Sequence, residues 1–238
     1  MKELNIKIND SAIIHFNESQ GVAIICGLTG SGKSVLINSL IMNAAESYSP
    51  EELEIDYIDM KSVEAEFWVG ACEIPHMHKI VGTRDSKLGM RELNSIINEI
   101  SNRSMSPTKD FPMRLVIIDE YQEIGDISTH IGYIAKNGPE NGVFLLLATQ
   151  SVTPSNSVLD YSEIRLALRC TEEMSELLIG SIVASELPRA GSVILKQYNN
   201  TIEAQVKYYD EEALKAKALA LRKQYKNSHH SIIYKKEY

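Results

Sequence analysis

Alternation opens the chain. Leu4, Ile6 and Ile8 are separated by polar residues, Asn9-Asp10 supplies a turn, and Ala12 to Phe16 alternates again, which predicts an N-terminal β-hairpin. Residues 21–26 are instead a short, continuous apolar run that ends in a glycine-rich stretch, the pattern of a parallel strand buried on both faces. From Lys33 to about Ser47, the apolar residues Val35, Leu36, Leu40, Ile41 and Ala44 recur at helical spacing. Pro50 and Glu51-Glu52 part that helix from a strand over residues 53–58. Phe67, Trp68 and Val69 precede an irregular segment at 73–83, broken by Pro75 and the polar pair His76 and His78. Residues 86–103 form an amphipathic helix through Leu88, Leu93, Ile96, Ile97 and Ile100, and 104–112 are a breaker-rich loop. Uninterrupted apolar runs at 115–118 and 143–148 predict central strands; 164–168, 192–195 and 202–206 predict further ones. A helix rich in Ala, Leu and Lys runs from Asp210 to about Lys226. Strands alternating with helices predict an α/β, doubly wound, mainly parallel sheet.

Composition narrows the classes. The 238 residues suit one large α/β unit with appendages, and 44% hydrophobic with 24% charged residues excludes disorder and collagen-like structure. No run of 18 apolar residues occurs, and the first nine residues lack the apolar stretch of a signal peptide. Cys26, Cys72 and Cys170 are odd in number and far apart, against a disulfide framework or zinc cluster. These features predict a soluble protein of a reducing compartment, or the soluble piece of something larger. Charge is uneven. From Leu214 onward, seven Lys or Arg stand against Glu237, a local +6 in a chain of −8, which leaves −14 for the rest. An acidic body binds nucleic acid poorly without help, because non-specific affinity comes from Lys and Arg on phosphates. The basic end is read either as a solvated face or as a partner arm.

Gly27-Leu28-Thr29-Gly30-Ser31-Gly32-Lys33-Ser34 satisfies G-x-x-x-x-G-K-[ST], between a predicted buried strand and a predicted helix. Glycines let the backbone wrap phosphates, and the helix start presents its positive end to the same charge. Lys33 is the residue to reach the outer phosphates of ATP, and Ser34 the hydroxyl to ligate Mg2+. Four apolar residues followed by Asp119 and Glu120 place two carboxylates at the C-terminal end of a strand, where open α/β sheets bind ligands. Asp119 is read as the second Mg2+ holder and Glu120 as the group that polarises the attacking water. Gln150, at the end of the 143–148 run, is placed to orient that water. A strand inserted between the loop strand and the Asp119 strand suggests the RecA-like group of P-loop NTPases. His76 and His78 lack a third ligand and are read as structural; Phe67 and Trp68 are read as core or interface.

Seven segments together resemble the FtsK/SpoIIIE motor family: Gly27 to Ser34, Ser49 to Glu52, Ile58-Asp59-Met60-Lys61, Ile74-Pro75-His76, Glu99 to Arg103, Ile117 to Glu120, and Ala148-Thr149-Gln150. That superfamily includes chromosome translocases, conjugative transfer ATPases and type VII secretion ATPases. The resemblance implies an ATPase domain over 1–209, including the hairpin, followed by a basic helix and tail at 210–238. It implies ATP hydrolysis coupled to movement of double-stranded DNA, with a secreted polypeptide as the alternative cargo. It further implies a homo-oligomeric ring or attachment to a larger membrane-anchored machine, a cytoplasmic location with recruitment to the inner face of the membrane, and Arg103 as a finger reaching a neighbouring subunit. Arg165 and Arg169 resemble the family's Arg-Ile-x-Leu-Arg strand. The chain departs from the family where Asp59-Met60-Lys61 runs on as Ser-Val-Glu-Ala-Glu, and where Ser151-Val152 replaces Arg-Pro.

Overall fold

In a computed structural model, which describes residues 2–155, 157–188, 190–226 and 232–237, the alternating start forms the hairpin of β1 (Leu4–Lys7) and β2 (Ile13–Phe16). Asn9 closes its turn by accepting from the amides of Ser11 and Ala12. The apolar runs form β3 (Val22–Cys26), β6 (Met113–Asp119) and β7 (Val143–Thr149), all fully or nearly fully buried. Beside them lie β4 (Leu53–Asp59), β5 (Met77–Thr83), β8 (Ile164–Leu168), β9 (Ser192–Gln197), β10 (Asn200–Gln205) and β11 (Ile233–Glu237). One nine-stranded sheet results, in the order β10-β9-β8-β3-β7-β6-β4-β5-β11. It is parallel from β8 to β11, and β9 and β10 run antiparallel at the opposite edge.

Both faces are covered, which explains why the central strands lack alternation. Ala23 and Ile25 point into a core shared with the hairpin, α1 (Lys33–Ser47) and α5 (Glu211–Gln224). Val22, Ile24 and Cys26 point into a second core under α2 (Ser86–Ser104), α3 (Ser128–Asn137) and α4 (Glu172–Ile179). Each fully buried Ile or Leu in these layers contributes about 1.5–3 kcal/mol.

Three elements differ from the sequence expectation. The segment expected to be irregular contains β5, because its ladder is completed on both sides by β4 and β11 despite the polar His78 and Lys79. The strand lying between β3 and the Asp119 strand is β7; β4 lies beyond β6. The C-terminal end expected as a tail forms β11, whose Lys235 and Lys236 pair with Glu92 and Glu66. Leu214, Ala218 and Leu221 seat α5 in the same core as α1, so both C-terminal elements pack on the body of the fold.

Candidate active site

Parallel register brings several strand ends to one edge. Asp59 of β4 stands beside Asp119 of β6, Asp119 beside Ala148 of β7, and Thr149 of β7 beside Cys26 of β3. The glycine-rich loop, Glu120 and Gln150 therefore open into one cleft of about 530 Å3. Leu28, Thr29, Gly30, Gly32, Lys33 and Ser34 line one side of it, with Asp119, Glu120 and Gln150 opposite.

The loop needs its glycines where its turn is tightest. Gly30 and Gly32 have φ of 79° and 99°, and a Cβ on Gly32 would lie 2.7 Å from the Gly191 nitrogen. Gly27 and Ser31 stand behind the cleft wall. The Gly27 amide donates to the Thr149 carbonyl at 3.3 Å, and the Ser31 carbonyl accepts from Gly191 at 2.9 Å. The buried Ser31 Oγ has no hydrogen-bond partner. α1 starts at Lys33, so its first-turn amides, which lack intrahelical acceptors, begin at the same place.

Lys33, 8% exposed, donates to Asp119 Oδ1 at 3.1 Å and to Glu120 Oε1. Burial alone would lower its pKa, but the charge of Asp119 and the bond to Glu120 outweigh that and raise it. Burial raises Asp119, and Lys33 only partly opposes it. Burial would also raise Glu120, yet the donors Lys33, Gln122 and Gln150 hold it below the usual range. Adjacent carboxylates are thus driven apart, the arrangement that divides roles between two acids. Glu120 sits at φ 57°, ψ 47°, a left-handed conformation costing of order 1–3 kcal/mol in a non-glycine residue. That kink aims its carboxylate along the cleft, where Gln150 Nε2 donates to Oε1 at 2.7 Å and Gln122 Nε2 to Oε2 at 2.6 Å. Thr29 Oγ1 ties Gln150 to the loop at 3.2 Å.

A third group of residues lines the cleft, to which the sequence assigned no role although Asp59 and Lys61 stand in one of the segments of the resemblance. The Asp59 carboxylate accepts four backbone amides, from Lys61 at 2.9 Å, Val63 and Glu64 at 2.7 Å and Ala65 at 3.0 Å. It thereby folds residues 61–65 into a hook over the cleft. Lys61 Nζ lies 3.2 Å from Glu120 Oε1, and Glu64 lines the same cleft as Ser34. Burial and the neighbouring charge of Asp119 hold the Tyr57 hydroxyl well above the usual phenol range. The signal was present: Tyr57-Ile58-Asp59 repeats the apolar-then-Asp ending of Ile117-Ile118-Asp119 on the adjacent strand. The Ser34 hydroxyl and the Asp119 and Glu64 carboxylates are a set of hard oxygen donors, as Mg2+ requires.

Arg103, expected as a finger, is not brought into this cleft. It is 3% exposed, near the N-terminal ends of β6 and β7 and so at the opposite end of the sheet from the cleft. Its guanidinium donates to Glu99 at 2.8 Å, to the Pro112 carbonyl at 2.7 Å and to the Asn141 carbonyl at 3.2 Å, and it covers the Phe111 ring. Arg165 is likewise bound to the carbonyls of Leu159, Ser162, Leu177 and Leu178, whereas Arg169 is exposed beside the glycine-rich loop. His76 bonds the Tyr48 carbonyl, His78 bonds Asp56, and Trp68 is buried with its Nε1 on Asn38. The cysteines are buried and unbridged, with burial pushing the Cys26 thiol up to about 12, which makes it a poor nucleophile. Among the described residues no helix is long and apolar enough to cross a membrane.

Comparison with known proteins agrees with this geometry. Residues 3–114 match the model of the FtsK/SpoIIIE family. The DNA translocase FtsK of Chlamydia pneumoniae is 28% identical, over 79% of this chain and 28% of its own length. That of Clostridium tetani is 32% identical over 53% of this chain and 20% of its own length. The chain thus spans about a quarter of the length of such curated relatives. Among solved structures, the cytoplasmic domain of the Thermomonospora curvata type VII secretion ATPase EccC superposes with a TM-score of 0.74 at 20% identity, covering 92% of this chain and 31% of that one. EssC (ATPases 2 and 3) from Geobacillus thermodenitrificans gives 0.72 at 16% identity, covering 98% and 50%. At these identities the likeness is one of fold.

Proposed function

We propose that this chain, whose residues 3–114 match the FtsK/SpoIIIE family, is a P-loop ATPase domain of that type that hydrolyses ATP to drive double-stranded DNA along a ring of like subunits. The observation that carries the reading is the chain of hydrogen bonds from Asp119 through Lys33 and Glu120 to Gln150 beside the glycine-rich loop. Lys33 neutralises the outer phosphates, for which it leaves its carboxylate partners. Ser34 and Asp119 would hold Mg2+, which would supply positive charge to offset the charge developing on the phosphates. Gln150 orients a water and Glu120 takes its proton as the oxygen attacks the γ-phosphate; the products are ADP and inorganic phosphate. Leu28 and Val63, both exposed at the cleft, offer apolar surface to the remainder of the nucleotide.

A secreted polypeptide is the second reading of the cargo. It is favoured by the acidic body, and by Lys235 and Lys236, which are paired with Glu92 and Glu66 and so are not free for phosphates. The deciding experiment is the ATP turnover rate with and without duplex DNA at a fixed low salt concentration. Stimulation by duplex supports the DNA reading; turnover indifferent to duplex at every DNA concentration overturns it in favour of the polypeptide.

A further inference from the structure

Glu120 Oε1 faces three side-chain donors in the cleft, Lys33, Gln150 and Lys61. Under the proposed reaction these donors do not have equal futures. Lys33 moves its charge to the phosphates, and Gln150 is neutral and shared with Thr29. Lys61 is then the cation that remains on the carboxylate. We propose that Lys61 is a positioning residue for Glu120, holding its carboxylate aimed along the cleft while Lys33 serves the nucleotide. The inference rests on the ATPase reading and goes beyond it, since the hook at 61–65 belongs to neither the glycine-rich loop nor the Asp119 strand.

The hook is constructed for such a task. Its backbone is fixed by the four amides on Asp59, by Ser62 at φ 55°, and by the Arg84 Nε bond to the Lys61 carbonyl at 3.2 Å. Gly82 packs beneath it, where a Cβ would come within 2.9 Å of Ser62 Oγ. Lys236 of β11 pairs with Glu66 just past its far end. On this fixed backbone the Lys61 side chain is 39% exposed, yet it ends on a carboxylate that is 4% exposed. A lysine free to seek water instead reaches inward, to the proposed base.

The test uses the full chain and the variants Lys61→Ala, Lys61→Met, Lys61→Arg and Glu120→Gln. Steady-state ATP turnover is measured beside the affinity for a fluorescent ATP analogue. Lys61→Ala and Lys61→Met should each lose about 10- to 100-fold in kcat, less than the roughly 10²- to 10⁴-fold contributed by a general base itself. Their nucleotide affinity should stay within about twofold of the parent, and Lys61→Arg should recover most of the rate. Turnover at the parent rate or faster in both neutral variants overturns the inference, as does a loss of affinity equal to the loss of rate. Loss in Lys61→Arg equal to that in Lys61→Met overturns it too, because loop shape rather than charge would then be the cause. Glu120→Gln separates the levels. If it is inactive while Lys61→Met is normal, only the role of Lys61 falls; a parent without turnover removes the ATPase reading and this one with it.

Discussion

Lys33 and Glu120 touch each other, yet their loss should have different consequences. Lys33→Ala removes the cation from the phosphate end and leaves Asp119 and Glu120 facing one another without it. Nucleotide binding should fall by at least tenfold, measured by titration with a fluorescent analogue. Glu120→Gln keeps the shape and one acceptor, so binding should persist while turnover drops about 10²- to 10⁴-fold, the range of general-base catalysis. A Glu120→Gln chain that hydrolyses ATP at the parent rate removes Glu120 from the mechanism. These residues were legible because the phosphate-loop pattern fixes both residue types and spacing, and because a carboxylate ending an apolar run has a known place in a parallel sheet. Lys61 was not legible as a site residue. Its approach to Glu120 depends on a loop whose course is set by Asp59 accepting four amides, and no sequence spacing encodes that.

At the level of elements, α2 is bound to the sheet by charge as well as by its apolar stripe. Arg103 closes its C-terminal end on the loops before β6 and β7. Arg103→Ala leaves the Pro112 and Asn141 carbonyls without this donor and should cost roughly 2–4 kcal/mol of stability in urea unfolding. Its effect on turnover, measured in protein confirmed as folded, should be small, in contrast to the loss expected of a finger; loss of turnover at unchanged stability would restore the finger. Higher along α2, Glu92 is bound by Lys79 and Lys235, and beneath the helix Asp56 is bound by Arg114 and His78. Burial would raise Asp56, but the His78 bond and the Arg114 charge prevail and hold it below its ordinary 3.8; Glu92, bound by Lys235 and Lys79, is held below 4.5 against burial in the same way. Carboxylates with depressed pKa stabilise the fold fully above their unfolded values and lose that stabilisation as pH falls through the folded ones. The urea midpoint should therefore hold from pH 7 to about 5 and fall below about 4. Asp56→Asn should make the acid fall shallower; an unchanged acid slope would show that this pair contributes nothing. The same polar residues hid β5 from the sequence. His78 and Lys79 interrupt its apolar pattern because the sheet face they reach is ionic rather than greasy. β11 was hidden for a related reason: an edge strand carrying Lys235 and Lys236 reads as a solvated charge run, although those charges blunt the edge and pair inward.

Across the whole molecule the unresolved physical question is how a body of net charge −14 grips a polyanion. Of the seven basic residues of the C-terminal stretch, Lys215 and Lys217 pair with Glu211 and Glu46, and Arg222 donates to the Gly70, Ala71 and Glu73 carbonyls. Lys235 and Lys236 are held by Glu92 and Glu66, whereas Lys223 and Lys226 at the end of α5 are exposed. If duplex DNA is the cargo and this end contacts it, the contact belongs to Lys223 and Lys226. Replacing both by Ala should weaken duplex binding and reduce the slope of log affinity against log salt by about 1.8, since each phosphate contact contributes about 0.9. Turnover without DNA should not change, because neither residue lines the cleft. Replacing Lys235 and Lys236 should instead lower the unfolding midpoint, since the buried Glu92 would keep Lys79 alone of its two lysines. Its salt slope should match the parent's. Titrating labelled duplex at 50 and 200 mM salt, the interval over which phosphate contacts are most visible, distinguishes the two pairs. Parent chain that fails to bind duplex even at the lower salt, with a non-hydrolysable nucleotide present, would remove DNA as the cargo. The acidic surface would then be read as one that repels nucleic acid, and the polypeptide reading would take precedence.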